Sequence, residues 1–466
     1  MGKLISPLFT TWPWAKWGEE REMEIALRDG SNVWTWAEVS IQVNRYANGL
    51  IQQGVKRDEV VVAVAKNGIE LIWLQLACIR IGARFSAINP KTPNVQLHQL
   101  VTSISAQHIW FGEGQESISG TWHHLQLINA EYGVIAATWQ PNRLATLTFT
   151  SGSTGLPKAV AHSVNSHLYS AAGLLSTMEF DNCDSWLLSL PLFHVSGLAI
   201  VWRWLLTGAT IVMPTEDGLL NDLCGVTHAS LVPTQLQRIL DSGDVSRLAL
   251  KRVLLGGAVI PTELTNAAKE NGIECWLGYG MTEMASTVTA KLADGQPGVG
   301  NVLHYRELRI EKGEVLVRGE CLALGYYRSS GIMNITNEDG WYQSNDLGHV
   351  IGAELHIQGR ADNMFISGGE NIHPEKIELA LLAHDAIEQV IVIDVSDEEF
   401  GQRPVAVIKT TESISHDELH SFLKEKLTQF ECPIRYETMP EHLLGTGLKI
   451  SRPQVKEWVN SLAITA

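Results

Sequence analysis

Between Glu59 and about Gly280, short β-branched runs alternate with amphipathic stretches, and that alternation leaves little choice of architecture. Val60-Val61-Val62-Ala63-Val64 reads as a buried strand, and Ile69 to Ile81 has helical periodicity closed by Gly82. The unit recurs as a strand from Ser185 to Leu190, a helix after Gly197 and a strand from Ala209 to Met213. It recurs again where Val253-Leu254-Leu255 runs into Gly256-Gly257, with a helix begun near Pro261. The expected fold class is therefore α/β, a layering of sheets and helices. Ligands of such sheets sit outside the carboxyl ends of the strands. Gly256-Gly257 and Gly278-Tyr279-Gly280 both follow strands, so their loops belong at one rim.

Beyond Asp294 the texture changes to shorter, glycine-punctuated runs such as Gly313 to Val317 and Glu354 to Ile357, which suggests a small β subdomain. After Arg360 comes a compact segment with its own signals: strands at Val390 to Asp394 and Pro404 to Ile408, and a helix from Ser415 to Gln429. At 466 residues the chain exceeds what one hydrophobic core usually organises, so two domains or more are expected. Trp12, Trp14 and Trp17 are expected to pin the N-terminal segment onto the body, tryptophan being valuable buried area.

Thr150-Ser151-Gly152-Ser153-Thr154-Gly155-Leu156-Pro157-Lys158 packs backbone amides, hydroxyls and one ammonium into nine positions. Glycine lets the backbone approach a ligand, successive amides form an anion-binding nest, and Ser, Thr and Lys add donors and charge, which makes a cradle for phosphate. The spacing is not the Gly-x-x-x-x-Gly-Lys-Ser/Thr of a P-loop, so a Walker-type NTPase is disfavoured.

The net charge of -16, with no Lys/Arg run, argues against a nucleic-acid surface. An anionic ligand must then be attracted by local donors rather than by the global field. Cys78, Cys183, Cys224, Cys275, Cys321 and Cys432 are scattered without a Cys-x-x-Cys pair, and no His-Glu-x-x-His helix accompanies them. They read as reduced thiols of a cytoplasmic protein. The apolar helix candidate ending at Ile81 is too short to span a bilayer, so no stable membrane association is expected. Met1-Gly2-Lys3-Leu4-Ile5-Ser6 fits a short myristoylation pattern, but acylation is not expected, and Pro7 and Pro13 interrupt any signal-peptide core.

The phosphate loop is followed, in order, by Pro191-Leu192-Phe193-His194, Gly278-Tyr279-Gly280-Met281-Thr282-Glu283 and Asn345-Asp346-Leu347-Gly348. Gly359-Arg360-Ala361-Asp362, Ser367-Gly368-Gly369-Glu370 and Lys449-Ile450 complete the series. It resembles the adenylate-forming acyl-CoA ligases, over nearly the whole chain from Thr35-Trp36-Ala37-Glu38 onward. The resemblance implies an N-terminal domain over 1–361 for ATP and the acid. It also implies a smaller, mobile α+β cap over 362–466 that turns on a hinge at Asp362. The implied chemistry is ATP- and Mg²⁺-dependent adenylation of a carboxylate, followed by transfer to CoA.

The resemblance also assigns roles. Ser151, Ser153, Thr154 and Lys158 hold phosphates in a loop that includes Thr150, Gly152 and Gly155. Glu283 ligates Mg²⁺, and Thr282 donates to the α-phosphate or the attacking carboxylate. Asp346 holds the ribose hydroxyls, a job suited to a carboxylate with two acceptor oxygens, with Arg360 assisting. Tyr279 stacks on adenine beside Gly280, with Gly256 and Gly257 lining the pocket by backbone. Lys449 is the adenylation lysine, and Ser367, Gly368 and Gly369 help to form the CoA channel. Two departures from the family pattern stand out. Ser344-Asn345-Asp346 replaces Thr-Gly-Asp, which keeps the acid and puts the loop geometry in doubt, and Gly447-Leu448-Lys449-Ile450 replaces Gly-Lys-Ile.

Within the family, Trp12-Pro13-Trp14, Ser189 to Gly197, Trp202-Arg203-Trp204, Thr227 to Leu236 and Lys449 to Arg452 resemble the members that act on 2-succinylbenzoate in menaquinone synthesis. His194, placed at the rim, is then a site residue, and Ser196, Arg203, Ser230 and Thr234 are candidates for recognising a second carboxylate. The residues alone do not rank them. Other readings stay open on sequence: a non-catalytic nucleotide-binding relative, a ligase for another aryl or fatty acid, or a luciferase-like oxygenase. The first could dispense with Glu283, Asp346 and Lys449, yet all three are present. A homo-oligomer is neither implied nor excluded.

Overall fold

The computed structural model describes residues 4–115, 117–131, 133, 137–150, 157–257, 260–443 and 450–462. The strand Val60–Val64 lies between the parallel strands Arg84–Ile88 and His108–Phe111 in an eight-stranded sheet. Its alternate residues serve two cores. Val60, Val62 and Val64 pack with Leu97, Leu100 and Val101 of the helix Asn94–Ser103. Val61 and Ala63 face a larger core that also holds the helices Trp36–Gln52 and Ile69–Ile81. A strand with both faces covered has no polar face to show, which is why this run is apolar throughout.

A second sheet of thirteen strands has a parallel centre: Ile25–Asp29, Thr210–Val212, Ser185–Leu187, His228–Leu231, Arg252–Leu255 and Glu274–Met281. Leu254 points into the same large core, whereas Val253 and Leu255 pack with Leu236, Ile239, Leu264 and Ala268 of the helices Pro233–Asp241 and Thr262–Glu270. The large core is thus shared by the two sheets, and the helices Val164–Leu175 and Val195–Thr207 run through it. Trp14, Trp36, Trp186, Trp202 and Trp204 are wholly buried there, with Trp36 stacked on Trp204 at 5.1 Å. Trp17 Nε1 donates to the Leu205 carbonyl at 2.7 Å, which ties the N-terminal helix Pro13–Glu20 to the end of the tryptophan-rich helix. Truncating such a side chain to Ala costs roughly 3–5 kcal/mol.

One strand is shorter than the sequence pattern predicts. The run Ser185 to Leu190 leaves the sheet after Leu187, because Asn67 Nδ2 takes the carbonyls of Leu188 and Leu190 at 3.1 and 2.8 Å. The same side chain accepts from the Leu192 amide at 2.9 Å, so it bends the chain toward the helix at Val195.

Past Asp294, the antiparallel strands Arg306–Glu311, Glu314–Gly319, Tyr342–Ile351 and Glu354–Arg360 extend the thirteen-stranded sheet, joined to it through Asn301 opposite Glu354. The last unit has its own five-stranded sheet of Phe365–Ser367, Glu370–Ile372, Ile387–Asp397, Gly401–Thr410 and Arg435–Thr438. Helices Pro374–Leu382 and His416–Lys424 cover one face of it and Arg452–Leu462 the other. The helix predicted to run from Ser415 to Gln429 ends at Lys424. Ser415 caps its start by accepting from the Glu418 amide at 3.2 Å, whereas beyond its end the Glu431 carboxylate captures the Thr428 amide at 2.9 Å and turns the chain. Among the described residues, no helix is long and apolar enough to cross a membrane.

Candidate active site

The strands Arg252–Leu255 and Glu274–Met281 end side by side, and their glycines meet: a Cβ on Gly256 would lie 3.2 Å from the Gly278 carbonyl oxygen. At Gly280 the register with Ser286–Leu292 slips, and the Ser286 carbonyl comes so close that any Cβ would overlap it. This rim is therefore bare backbone, which suits the approach of a flat ring.

Beside it runs a chain of polar groups centred on the buried Asp346. The Tyr279 hydroxyl donates to Asp346 Oδ2 at 2.6 Å, and Arg360 Nη1 donates to Asp346 Oδ1 at 3.0 Å. Asp346 and Arg360 are directly opposite on neighbouring strands. Arg360 also grips both carboxylate oxygens of Asp362, at 2.8 and 3.0 Å. Burial, then the charge of Asp346, pushes the Tyr279 hydroxyl well above the usual phenol range, so it remains a neutral donor. Burial pulls the Arg360 guanidinium down, but the hydrogen bonds to Asp362 and the charge of Asp346 outweigh it and raise it overall. Asn345 resolves the doubt over its loop. It sits at φ +61°, a left-handed conformation that asparagine tolerates and glycine would adopt freely, and its amide donates to Glu314 at 2.7 Å. The structure thus places Tyr279 as a hydrogen-bond partner of Asp346.

Glu283 is 9% exposed and lies in a tight turn, Thr282–Met284. Its Oε1 accepts from the Tyr326 hydroxyl at 2.8 Å, and Tyr326 lies 3.2 Å from the Tyr342 hydroxyl, which also faces Glu283. Burial and the charge of Glu283 raise both phenols, so both stay neutral. Lys158 places its ammonium 4.9 Å from the centre of the Tyr326 ring. Thr150 pairs with Lys158 between the antiparallel strands Leu144–Thr150 and Lys158–Ser163, so what flanks the loop is a strand on each side and not the strand and helix of a P-loop. Ser151, Gly152, Ser153, Thr154 and Gly155 lie outside the described residues. Mg²⁺ carried on nucleotide phosphates takes one or two protein carboxylates, and a single buried Glu283, linked through Tyr326 to Lys158, fits that need.

On the acyl side, His194 is the N-cap of Val195–Thr207 and its ring lies 4.8 Å from that of Phe193. Arg203, on the same helix, is 2% exposed; its Nη1 donates to Ser230 Oγ at 3.2 Å and its guanidinium lies 4.8 Å from the Trp186 ring. Among the described residues, no carboxylate lies within ion-pair distance of it. Burial, then repulsion from Arg306, lowers the Arg203 guanidinium to about 9. A buried cation without a counter-ion is costly, and the cost is relieved by an incoming anion. The structure brings Arg203 and Ser230 together. Ser196 and Thr234 are half-buried in the first turns of their helices, and neither is bonded to Arg203 among the described contacts.

In the last unit, Ser367 is buried, and Gly368 and Gly369 form the tip of a two-residue hairpin at φ +58° and +89°. Gly368 faces the rings of Phe400 and Phe430 at a distance where a Cβ would crowd both. Lys449 lies outside the described residues. Three residues on, Arg452 is anchored to Glu378 at 2.7 Å and to Glu375 at 3.5 Å, and Glu375 also accepts from Asn363 beside Asp362. Sequence reasoning missed Asn67, Tyr326 and Tyr342. Asn67 follows the end of a buried strand, where site residues of α/β sheets concentrate, and that signal could have found it.

Residues 14–327 match the family model of the AMP-binding enzymes, and 376–445 match that of the AMP-binding enzyme C-terminal domain. The 2-succinylbenzoate–CoA ligase of Escherichia coli K12 is 45% identical over 97% of this chain and 99% of its own length. A variant of E. coli MenE with bound OSB-AMS superposes with a TM-score of 0.91 at 44% identity, covering 97% of this chain and 99% of that one. The O-succinylbenzoate CoA synthetase of Bacillus subtilis is 25% identical in two structures. With the acyl-adenylate intermediate OSB-AMP the TM-score is 0.85, over 96% of this chain and 98% of that one. With ATP and magnesium ion it is 0.84, over 92% and 95%.

Proposed function

The chain belongs to the AMP-binding enzyme family, and from that premise we propose that it joins 2-succinylbenzoate to CoA with ATP, in menaquinone synthesis. The observation that carries the choice of acid is Arg203, a buried guanidinium with a hydroxyl neighbour and no carboxylate partner among the described residues, on the helix that His194 caps. It is suited to the ring carboxylate of a diacid whose other carboxylate reacts.

The reaction is an acid–thiol ligation that releases AMP and pyrophosphate. The succinyl carboxylate oxygen forms a bond to the α-phosphorus while the bond to pyrophosphate breaks. The CoA sulfur then forms a bond to the acyl carbon while the bond to the AMP oxygen breaks, and the thiol proton is released. Mg²⁺, when bound, neutralises phosphate charge. Glu283 would hold it, with its carboxylate aimed by two neutral phenols. Asp346, fixed between Tyr279 and Arg360, would accept from the ribose hydroxyls on its remaining lone pairs. Thr282 and Lys158 would donate to phosphate oxygens. Lys449, three residues before Arg452 in the sequence, would bridge two groups of like charge as they approach, and a cation delivered into a closed site is worth several-fold more than an exposed one. The cap over 362–466 would turn at Asp362 to replace Lys449 with the Gly368-Gly369 hairpin. ATP and CoA are cytosolic metabolites, and we place the enzyme in the cytoplasm on that basis.

The test is kcat/KM with 2-succinylbenzoate, benzoylpropionate and medium-chain fatty acids. Benzoylpropionate, which lacks only the ring carboxylate, is expected to be ~10⁴-fold poorer, because it leaves buried donors unpaired. Arg203→Leu should close most of that gap. Equal use of benzoylpropionate or a fatty acid by the unmodified enzyme would overturn the choice of acid and leave the ligase class standing.

A further inference from the structure

The turn that carries Thr282 and Glu283 ends in two consecutive non-glycine residues with positive φ, Ala285 at +51° and Ser286 at +116°. Such conformations persist only where the surroundings over-determine them. Here the support is visible. Ser170, buried on the helix Val164–Leu175, donates its hydroxyl to the Ala285 carbonyl at 2.8 Å. Arg306 Nη2 in turn donates to the Ser170 hydroxyl at 3.1 Å and to the Ser170 carbonyl at 3.0 Å, while its Nη1 donates to the His304 carbonyl at 2.8 Å. Guanidinium to hydroxyl to carbonyl is a one-way relay, and it leaves the Ser170 proton a single direction in which to point.

The helix is cut to admit this relay. Gly173, one turn beyond Ser170, is where any Cβ would overlap Arg306 Nη1. Among the described residues, Arg306 has no carboxylate within ion-pair distance, and burial lowers its guanidinium. Burying a cation for three neutral acceptors is a poor way to gain stability, since an apolar residue of similar volume would avoid the desolvation. A second buried group leans on the same turn: His162 faces the backbone of Thr282 and Glu283, and its ring lies 4.9 Å from that of His167, tilted by 42°, one turn before Ser170.

We propose that Ser170 and Arg306 are positioning residues for adenylation, holding the Thr282-Glu283 turn in its reactive geometry through the Ala285 carbonyl. The proposal rests on the adenylating role of that turn. Without the hydroxyl, Ala285 relaxes from the left-handed region and carries Glu283 away from the phosphates. Glycine at 285 adopts that region without strain, so it keeps the turn in place even when the hydroxyl is missing.

The experiment measures adenylation by pyrophosphate exchange, thioester formation from supplied acyl-adenylate, and thermal midpoints, for wild type, Ser170→Ala, Ala285→Gly and the double variant. Ser170→Ala is expected to lower the kcat of adenylation roughly tenfold, the scale of a slight misplacement, with KM for CoA and thioester formation unchanged. Adding Ala285→Gly should restore most of the loss. If Ser170→Ala does not fold, Ser170→Cys, of similar size but a weak donor, takes its place. A lowered thermal midpoint with unchanged adenylation, or a double variant no better than Ser170→Ala, would overturn the proposal. A wild-type enzyme that forms no acyl-adenylate from any acid would instead overturn the functional reading beneath it.

Discussion

The body of the molecule and its last unit hold their candidate site groups in different ways. In the body each group is gripped from behind: Asp346 by Tyr279 and Arg360, Glu283 by Tyr326 and Tyr342, the bend before His194 by Asn67. In the last unit the described groups, Gly368, Gly369 and Asp362, sit on turns. Gly368 and Gly369 occupy a hairpin tip, Asp362 lies between two sheets, and Lys449 precedes a terminal helix whose Arg452 is tied to Glu378. Fixed groups suit binding that must be the same in both half-reactions, whereas groups on turns suit a role confined to one of them. The difference predicts that losing a body group that holds the nucleotide in both half-reactions, Asp346 above all, slows both steps, whereas losing a group of the last unit slows one.

Lys449→Ala should give the largest separation. Acyl-adenylate formation is expected to fall ~10³-fold, the scale of losing one preorganised charge at a reacting phosphate. Thioester formation from supplied acyl-adenylate should be unchanged. Asp346→Ala, in contrast, should slow both steps, since AMP is held in both. Pyrophosphate exchange and thioester assays on the two variants measure the contrast, and equal losses in both steps for Lys449→Ala would break it.

A smaller effect is expected at the junction. Asp362→Pro fixes φ near -65°, so it should spare adenylation and lower thioester formation by roughly 100-fold, the penalty of a misplaced group. Asp362→Ala is the control, because it removes the grip of Arg360 without stiffening the backbone. If both variants lose both steps alike, the ion pair matters and the rotation does not.

The same two regions differ in how far they were legible as sequence. Val60–Val64 and Ile69–Ile81 are readable because burial on all sides imposes an unbroken apolar pattern. The site motifs are readable because backbone approach and charge demand particular residue types. What escapes is support arriving from far along the chain. Asn67 ends a strand more than a hundred residues away, and Tyr326 reaches Glu283 from another sheet. Neither contact leaves a local pattern. Ser170 is a different failure: it reads as one more small residue on a buried helix, and only the left-handed Ala285 shows what its hydroxyl is for. The overlong helix at Ser415 is a third case. Glu425 to Gln429 are ordinary helix formers, and a single carboxylate beyond them overrides that preference.

That carboxylate provides the smallest expected effect. Glu431 is nearly buried, and it accepts from Lys376 at 2.6 Å and from the amide and hydroxyl of Thr428 at 2.9 and 3.0 Å. Burial alone would raise its carboxyl, but these hydrogen bonds outweigh burial and hold it below the usual glutamate range. A carboxyl depressed in the folded state stabilises it above the unfolded value, about 4.3, and that contribution is lost as pH falls through the folded value. The next residue back, Phe430, is the ring against which Gly368 packs, so loosening this turn loosens the hairpin proposed for the CoA channel. Glu431→Gln should therefore destabilise the segment 416–432 by about 1 kcal/mol near neutral pH, the scale of a net hydrogen bond, and flatten its loss of stability in acid. Hydrogen exchange of those amides from pH 7 to below pH 3, corrected for intrinsic rates, measures both. Thioester formation should fall by a few-fold at most while adenylation stays level. Equal protection in variant and wild type across that range would mean that the Thr428 turn is set by packing, and that the last unit is held from behind as firmly as the body.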